Sequence, residues 1–194
     1  MAFAGLLFAV LLGGVFLGLL GIIAVVYVVS VYNGLVTLKN NIKKSWANID
    51  VLLKQRSDEL PKLINSVKGY MKHEKQLLTE ITAARTAIMK AKTLPQKAAA
   101  DNMITGALKS LFAVAENYPN LKANENFIQL QGRISEIENQ LADRREFYND
   151  SVNTYNIRIQ SFPDMIAAKM FGFTTPEEMF KATEAEKKDV KVEF

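Results

Sequence analysis

The chain has 194 residues, and its charged side chains are distributed very unevenly. The first 38 residues carry none, whereas the following 156 residues carry all 44 Lys, Arg, Asp and Glu side chains. The mean hydropathy of +0.03 is therefore the average of an apolar segment and a highly charged one, which excludes a simple soluble globular domain. With no Cys and one His, the sequence also excludes disulfides, thiolate metal sites and multi-histidine metal sites.

The N-terminal apolar run covers residues 2–29, where the hydroxyl of Tyr27 is the only polar side-chain group. As a helix this run is about 42 Å long, enough to cross a hydrocarbon core of about 30 Å. A cleaved signal peptide would have a positively charged start, a shorter apolar core and a small-residue cleavage site. The run therefore predicts a retained transmembrane anchor over residues 1–31.

Basic residues flank the anchor on one side. Lys39, Lys43 and Lys44 follow it, and no charged side chain precedes it. Because cytoplasmic flanks are enriched in Lys and Arg, we predict a single-pass cell-membrane protein with its N-terminus outside and the remainder in the cytoplasm.

A stripe of small residues lies within the anchor. Gly14 and Gly18 form a GxxxG motif, and Gly21 and Ala24 continue the same face. Small residues let membrane helices approach closely, so this stripe predicts a packing face and a homo-oligomer. The general abundance of glycine in membrane helices is the simpler alternative.

The segments between the prolines of the soluble part have apolar residues spaced by three and four, which is typical of helices packing along a seam. We therefore predict an all-α fold, in which a single N-terminal transmembrane helix precedes an antiparallel, coiled-coil-like four-helix bundle over residues 32–173. Asn124 is expected to cap the fourth helix. Thr175 and Pro176 are expected to open a short C-terminal helix, which is followed by a charged tail, over residues 174–194.

Pro61 allows two interpretations, a break between two helices or a kink in one. An unbroken helix over residues 32–92 would be about 90 Å long and would leave much of its seam without a partner. A break over residues 57–61, with Asp58 as the new cap, gives four helices that alternate in direction. The seam keeps its phase through Leu60 and Leu63, which favours the kink. We favour the break because a bundle buries both seams.

Three charged residues fall on the seams, namely Arg56, Glu74 and Arg144. Buried charges are costly unless they are paired, so we predict the pairs Arg56–Glu116 and Glu74–Arg144. The alternatives are side chains that reach solvent at the bundle edge, or a polar ligand site.

An amide stripe runs beside the fourth seam and comprises Asn149, Asn153, Asn156 and Gln160. Asn is unfavourable inside helices, so the stripe predicts interhelical hydrogen bonds or a partner-binding face, with a solvated face as the alternative. The dipeptide Tyr-Asn occurs at 148–149 and again one heptad later at 155–156.

Taken together, these motifs resemble the LemA family of membrane proteins. The resemblance covers about residues 30–173, with one small departure at Arg56-Ser57-Asp58, and implies a membrane anchor followed by a cytoplasmic helical bundle without an established catalytic activity. The matching elements are Tyr32-Asn33, Trp46, Asp50–Arg56, Leu60–Leu63, Val67–Tyr70, Glu74, Ala84-Arg85, Glu116–Pro119, Leu130-Gln131, Glu138, Arg144-Arg145, Tyr148-Asn149, Tyr155-Asn156 and Phe162-Pro163.

These features predict a membrane-anchored helical scaffold or adaptor that self-associates in the lipid bilayer. The alternative is a regulatory partner of an envelope enzyme such as a membrane protease. An enzyme with a carboxylate site is a third interpretation, but no spacing singles out a pair, and His73 lies in a charged, solvated stretch. We expect no enzyme activity, no cofactor and no metal. The mixed-sign charges do not indicate nucleic-acid binding.

Overall fold

The computed structural model describes residues 2–71 and 73–180. The described residues contain six helices and no strand, which confirms the predicted all-α class. The helices are α1 (Ala2–Val67), α2 (Lys75–Lys90), α3 (Leu94–Ala115), α4 (Pro119–Lys122), α5 (Glu125–Gln160) and α6 (Asp164–Met170).

Helix α1 runs through Pro61 without interruption, so the favoured break over residues 57–61 is wrong. Pro61 has no N–H to donate to the carbonyl of Ser57, which normally disfavours a helix interior. The apolar residues around it compensate, since Leu60, Leu63 and Val67 are completely buried. Asp58 consequently lies inside the helix and caps nothing.

The chain turns after α1 at residues 68–71. The N–H groups of Tyr70 and Met71 both donate to the carbonyl of Val67, each at 2.9 Å, and close the helix end. Met71 is completely buried beneath this turn. The first bundle helix is therefore longer and α2 shorter than predicted.

The described residues form two compact units, of which the larger contains residues 43–150 and 179–180. In it, α5 runs antiparallel to α1, because Asn124 bonds Tyr70 at one end and Tyr148 packs on Trp46 at the other. Helix α3 runs parallel to α1, and a three-residue connection reverses the chain between α2 and α3. The apolar core comprises Leu53, Leu60, Leu63, Ile81, Ala84, Ile104, Leu108, Leu111, Ile134, Ile137 and Leu141.

The helix starts in this unit follow from local sequence. Thr93 and Gln96 form a capping box at α3, with Pro95 in the first turn. The N–H of Phe127 donates to Oδ1 of Asn124 at 3.1 Å, which confirms the predicted cap of α5.

The smaller unit contains the described part of residues 1–42 together with residues 151–178. Here α6 packs on α1 through Ala167 and Ala168, and the ring of Tyr32 lies 4.8 Å from that of Phe171. Arg158 approaches α1 at Gly34 so closely that a Cβ there would clash with Nη1 of Arg158. Gly34 therefore makes room for the guanidinium.

The apolar part of α1 is long enough to cross a membrane, because 18 consecutive residues within Leu11–Val67 have a mean hydropathy of 2.6. None of these 18 residues is buried within the chain. The predicted anchor boundary at residue 31 falls inside α1, which continues directly into the rest of the protein.

The predicted C-terminal helix does not begin at Thr175, because residues 174–180 contain no helical turn. The peptide groups of Glu177 and Phe180 bond to asparagine side chains of α5 and are unavailable to a helix ladder. The rest of the predicted helix and tail, residues 181–194, lies outside the described residues.

Candidate functional site

A network of charged residues lies in the larger unit, in which Arg56 and Asp101 are buried and Glu138 and Arg145 are partly exposed. The guanidinium of Arg56 is completely buried and donates from Nη1 to Oδ1 of Asp101 at 2.7 Å and from Nη2 to Oε1 of Glu138 at 2.6 Å. Nη1 also lies 3.1 Å from Oγ1 of Thr105. Arg145 contacts the other carboxylate oxygen of Asp101. Two cations and two anions from α1, α3 and α5 thus balance in charge.

The predicted pair Arg56–Glu116 is therefore wrong, although Arg56 is buried and paired as expected. The prediction assumed that the helix ended just after Arg56. Since α1 continues for 11 residues, about 16 Å, Arg56 lies level with the middle of α3 rather than its end. Glu116, at the end of α3, is exposed.

The structure does not bring Glu74 and Arg144 together, and this pair is also corrected. Glu74 precedes α2 and accepts a hydrogen bond from the hydroxyl of Tyr118 at 3.3 Å. Arg144 is exposed, and the next residue, Arg145, points inward instead. Leu141 and Tyr148 are seven residues apart on the seam, so Arg144 (three after Leu141) and Arg145 (four after it) lie almost equally close to the seam. The 3-and-4 spacing therefore cannot show which of the two arginines faces the core.

Next to the charge network, Phe180 occupies an aromatic pocket, which we call the Phe180 pocket. The centre of its ring lies 4.7 Å from Cζ of Arg145 and 6.5 Å from the centre of the Trp46 ring. The amide of Asn149 donates to the carbonyl of Phe180 at 3.0 Å and accepts from its N–H at 2.7 Å. Arg145 therefore contacts both Asp101 and the residue held in the pocket.

In the smaller unit, Asn156 holds Glu177 in the same way. It donates to the carbonyl of Glu177 at 2.9 Å and accepts from its N–H at 2.9 Å. Nζ of Lys39 lies 3.9 Å from Oε1 of Glu177 and 5.9 Å from the centre of the Phe173 ring.

The charge of Glu177 also acts on a neighbouring tyrosine. Burial, together with this charge, raises the pKa of the Tyr155 hydroxyl.

The amide stripe thus divides into two pairs. Asn149 and Asn156, the asparagines of the two Tyr-Asn dipeptides, bond backbone groups, whereas Asn153 and Gln160 are exposed. Sequence reasoning also missed Asp101 and Glu138. Asp101 could have been found by extending the third seam back by three residues from Ile104, because it occupies a seam position there.

Comparison with known proteins decides the family. The family model for LemA matches residues 45–194, which is more than half of the chain. The chain belongs to the LemA family. The resemblance inferred from its motifs is therefore confirmed.

Two relatives of this LemA-family chain show how far the similarity extends. Protein LemA of Metamycoplasma hominis is 30% identical over 163 residues, covering 81% of this chain and 72% of the relative. Magnetosome protein MamQ 2 of Paramagnetospirillum magneticum is 36% identical over 78 residues, covering 40% of this chain and 29% of the relative. With the apolar start of α1, these similarities indicate a membrane-associated protein of unknown biochemical activity.

The small-residue stripe of this LemA-family protein is fully accessible. Gly14, Gly18 and Gly21 are exposed, and a Cβ built on any of them meets nothing within 4 Å. Ala24 is exposed as well. The face is therefore free of intramolecular contacts at its glycines.

Elsewhere in this LemA-family chain, charged side chains form ion pairs. The residues that the structure describes contain no group of three or more His, Asp or Glu side chains able to hold a metal ion. His73 is exposed. A cleft of about 280 Å³ on the larger unit is lined by charged residues such as Asp50 and Lys97 and by apolar residues such as Ile88 and Met89. Burial and the neighbouring Glu74 raise the pKa of Tyr118.

Proposed function

We propose that this LemA-family protein is a membrane-anchored helical scaffold that self-associates and holds partner segments on its cytoplasmic bundle, without catalytic activity of its own. The observation that carries this proposal is the continuity of α1, which joins the apolar run to the bundle core in one helix. One helix thus supplies both the anchor and part of the bundle core, as a tethered scaffold requires. The family is not a known enzyme family, which also supports it.

The proposed orientation places the bundle in the cytoplasm. It rests on Lys39, Lys43 and Lys44, which follow the apolar run directly. In right-side-out vesicles we expect added protease to leave the bundle intact until the membrane is permeabilised with detergent. Digestion before permeabilisation would place the bundle outside and contradict the proposed orientation.

Self-association is proposed to use the face of Gly14, Gly18, Gly21 and Ala24. Among the described residues, nothing beyond the adjoining turns of α1 lies within 4 Å of a Cβ built on Gly18, so Gly18→Leu adds a side chain without an intramolecular clash. We expect this variant to lose most of the crosslinked oligomer seen with the parent chain in membranes, because the leucine separates the helix backbones.

Gly5→Leu is the matched control for that experiment. It makes the same chemical change about 180° around the helix from Gly14, and a Cβ built on Gly5 also meets nothing within 4 Å. Equal crosslinking by the parent, Gly18→Leu and Gly5→Leu would reject the proposed face. A parent chain that is monomeric throughout would reject self-association itself.

The adaptor part of the proposal rests on the Phe180 pocket. Asn149 recognises backbone groups, which every peptide has, and the pocket recognises one aromatic ring. An extended aromatic segment of a partner could make the same contacts if Phe180 moved out, in the manner by which extended peptides dock through main-chain bonds and a side-chain pocket.

The same pocket also supports the second candidate function, a regulatory partner of an envelope enzyme such as a membrane protease. A segment of that enzyme would then replace residues 174–180. Under this alternative the enzyme co-purifies with the full chain from detergent extracts, and its activity changes when the chain is deleted.

A further inference from the structure

The surface of α6 and its flanks carries four large apolar residues with exposed side chains. Phe162 is 77%, Ile166 58%, Met170 63% and Phe171 45% exposed. Ile166 and Met170 are one turn apart and so lie on one side of α6, while Ala167 and Ala168 are buried on the other. We call these four exposed residues the α6 apolar patch. Single exposed apolar residues are ordinary, but a contiguous set marks an interaction surface.

The contacts of α6 with α1 fix where this patch lies. The hydroxyl of Tyr27 bonds the carboxylate of Asp164, and the ring of Tyr32 packs 4.8 Å from that of Phe171. Tyr27 lies near the end of the apolar run, where Val26 and Val29 of α1 are themselves more than half exposed. The patch is therefore next to the surface that α1 presents as it leaves the hydrocarbon core.

Asp164 is held firmly in this position. Its carboxylate accepts from Tyr27 and, at 2.6 Å, from Nε of Arg158. The bond from Tyr27, followed by the Arg158 bond and charge, keeps the pKa of Asp164 below its usual value. The carboxylate is thus satisfied within the chain, and Lys169 remains as an exposed charged group on the same helix.

We propose that the α6 apolar patch inserts into the acyl–headgroup boundary of the bilayer that α1 crosses, as a second lipid contact of this chain. The patch is continuous with the membrane-crossing helix, so the lipid that surrounds α1 is the apolar phase within its reach. Exposed apolar rings and aliphatic side chains beside a lysine are the composition by which short helices lie in that boundary. Together with α1, this contact sets how the smaller unit stands on the membrane.

The absence of cysteine makes the chain well suited to a direct test. Ile166→Cys and Met170→Cys, each carrying a nitroxide spin label, are reconstituted as full-length chains into vesicles of phosphatidylcholine and phosphatidylglycerol. Electron paramagnetic resonance then compares label collisions with oxygen, which concentrates in lipid, and with a water-soluble nickel chelate. We expect both labels to favour oxygen several-fold.

Ile128→Cys is the matched control, because Ile128 is 53% exposed on α5 in the larger unit. Its label is expected to favour the nickel chelate. Labels at 166 and 170 that behave like the label at 128 would overturn the proposal by showing that the patch faces water. Labels protected from both reagents, or broadened by a second label, would overturn it in favour of a protein partner or a second copy.

A second substitution separates lipid contact from a change in fold. Ile166→Asp, combined with the label at position 170, is expected to move that label toward the nickel chelate while the helical circular dichroism stays unchanged. Ile128→Asp in the same background is expected to leave the label at 170 in lipid. An equal response to both substitutions would contradict a direct contact of Ile166 with the bilayer.

Discussion

Arg56→Ala is expected to lower the free energy of unfolding by about 3–5 kcal/mol, because it removes the partner of a buried carboxylate. Both Arg56 and the side chain of Asp101 are fully buried. Without the guanidinium, Arg145 is the remaining charged partner of Asp101 among the described residues, and the hydroxyl of Thr105 loses its donor. Chemical denaturation of the full chain in detergent, followed by circular dichroism, measures this loss.

Arg144→Ala is the matched control, since it removes the same side chain from an exposed position. We expect it to change the free energy of unfolding by no more than about 0.5 kcal/mol. In the double variant Arg56→Met/Asp101→Leu both charges are replaced by apolar groups, and it should be destabilised less than the sum of the two single variants. Equal losses for Arg56→Ala and Arg144→Ala would contradict the network.

Asn149→Ala is expected to release Phe180 from its pocket. The substitution leaves the N–H and the carbonyl of Phe180 without the two bonds that Asn149 makes. A loss of about 1–3 kcal/mol from local stability corresponds to roughly fivefold to 150-fold faster amide hydrogen exchange at Phe180. Hydrogen exchange with mass spectrometry of the full chain measures this, and the core of α5 is expected to stay protected.

Asn153→Ala provides the control, because Asn153 lies one turn further along α5 and is exposed. Exchange at Phe180 is expected to be the same in this variant as in the parent chain. Phe180→Ala, which empties the pocket, is expected to bind a synthetic peptide of residues 174–180 more tightly than the parent does. Equal effects of Asn149→Ala and Asn153→Ala on exchange would contradict the role of the two Asn149 hydrogen bonds in holding Phe180. A peptide that binds neither Phe180→Ala nor the parent chain would contradict the adaptor proposal.

Features set by neighbouring residues could be predicted from the sequence. The apolar run, the 3-and-4 spacing and the cap at Asn124 depend on hydrophobicity, periodicity and one side-chain bond, and all three appear in the structure. The burial of Arg56 was predictable too, because its seam position follows from the helical period. The same local information placed the chain in its family.

Features that depend on which helices lie opposite each other were decided by the tertiary structure. Pro61 is tolerated because Leu60, Leu63 and Val67 are buried, and a local rule about proline carries no knowledge of that burial. An error there shifts the end of α1 and so moves Arg56 from Asp101 to Glu116. Each helical turn is about 5.4 Å long, so an error of about three turns in the end of α1 changes which residues of α3 lie opposite Arg56.

The choice between adjacent candidates on one helix has the same origin. Arg144 and Arg145 flank the seam alike, and Asn149, Asn153, Asn156 and Gln160 lie on one face alike. Asp101 selects Arg145, and the backbone of residues 177 and 180 selects Asn156 and Asn149. Periodicity gives the face on which a side chain lies, whereas its bond depends on a distant residue whose position only the folded chain supplies.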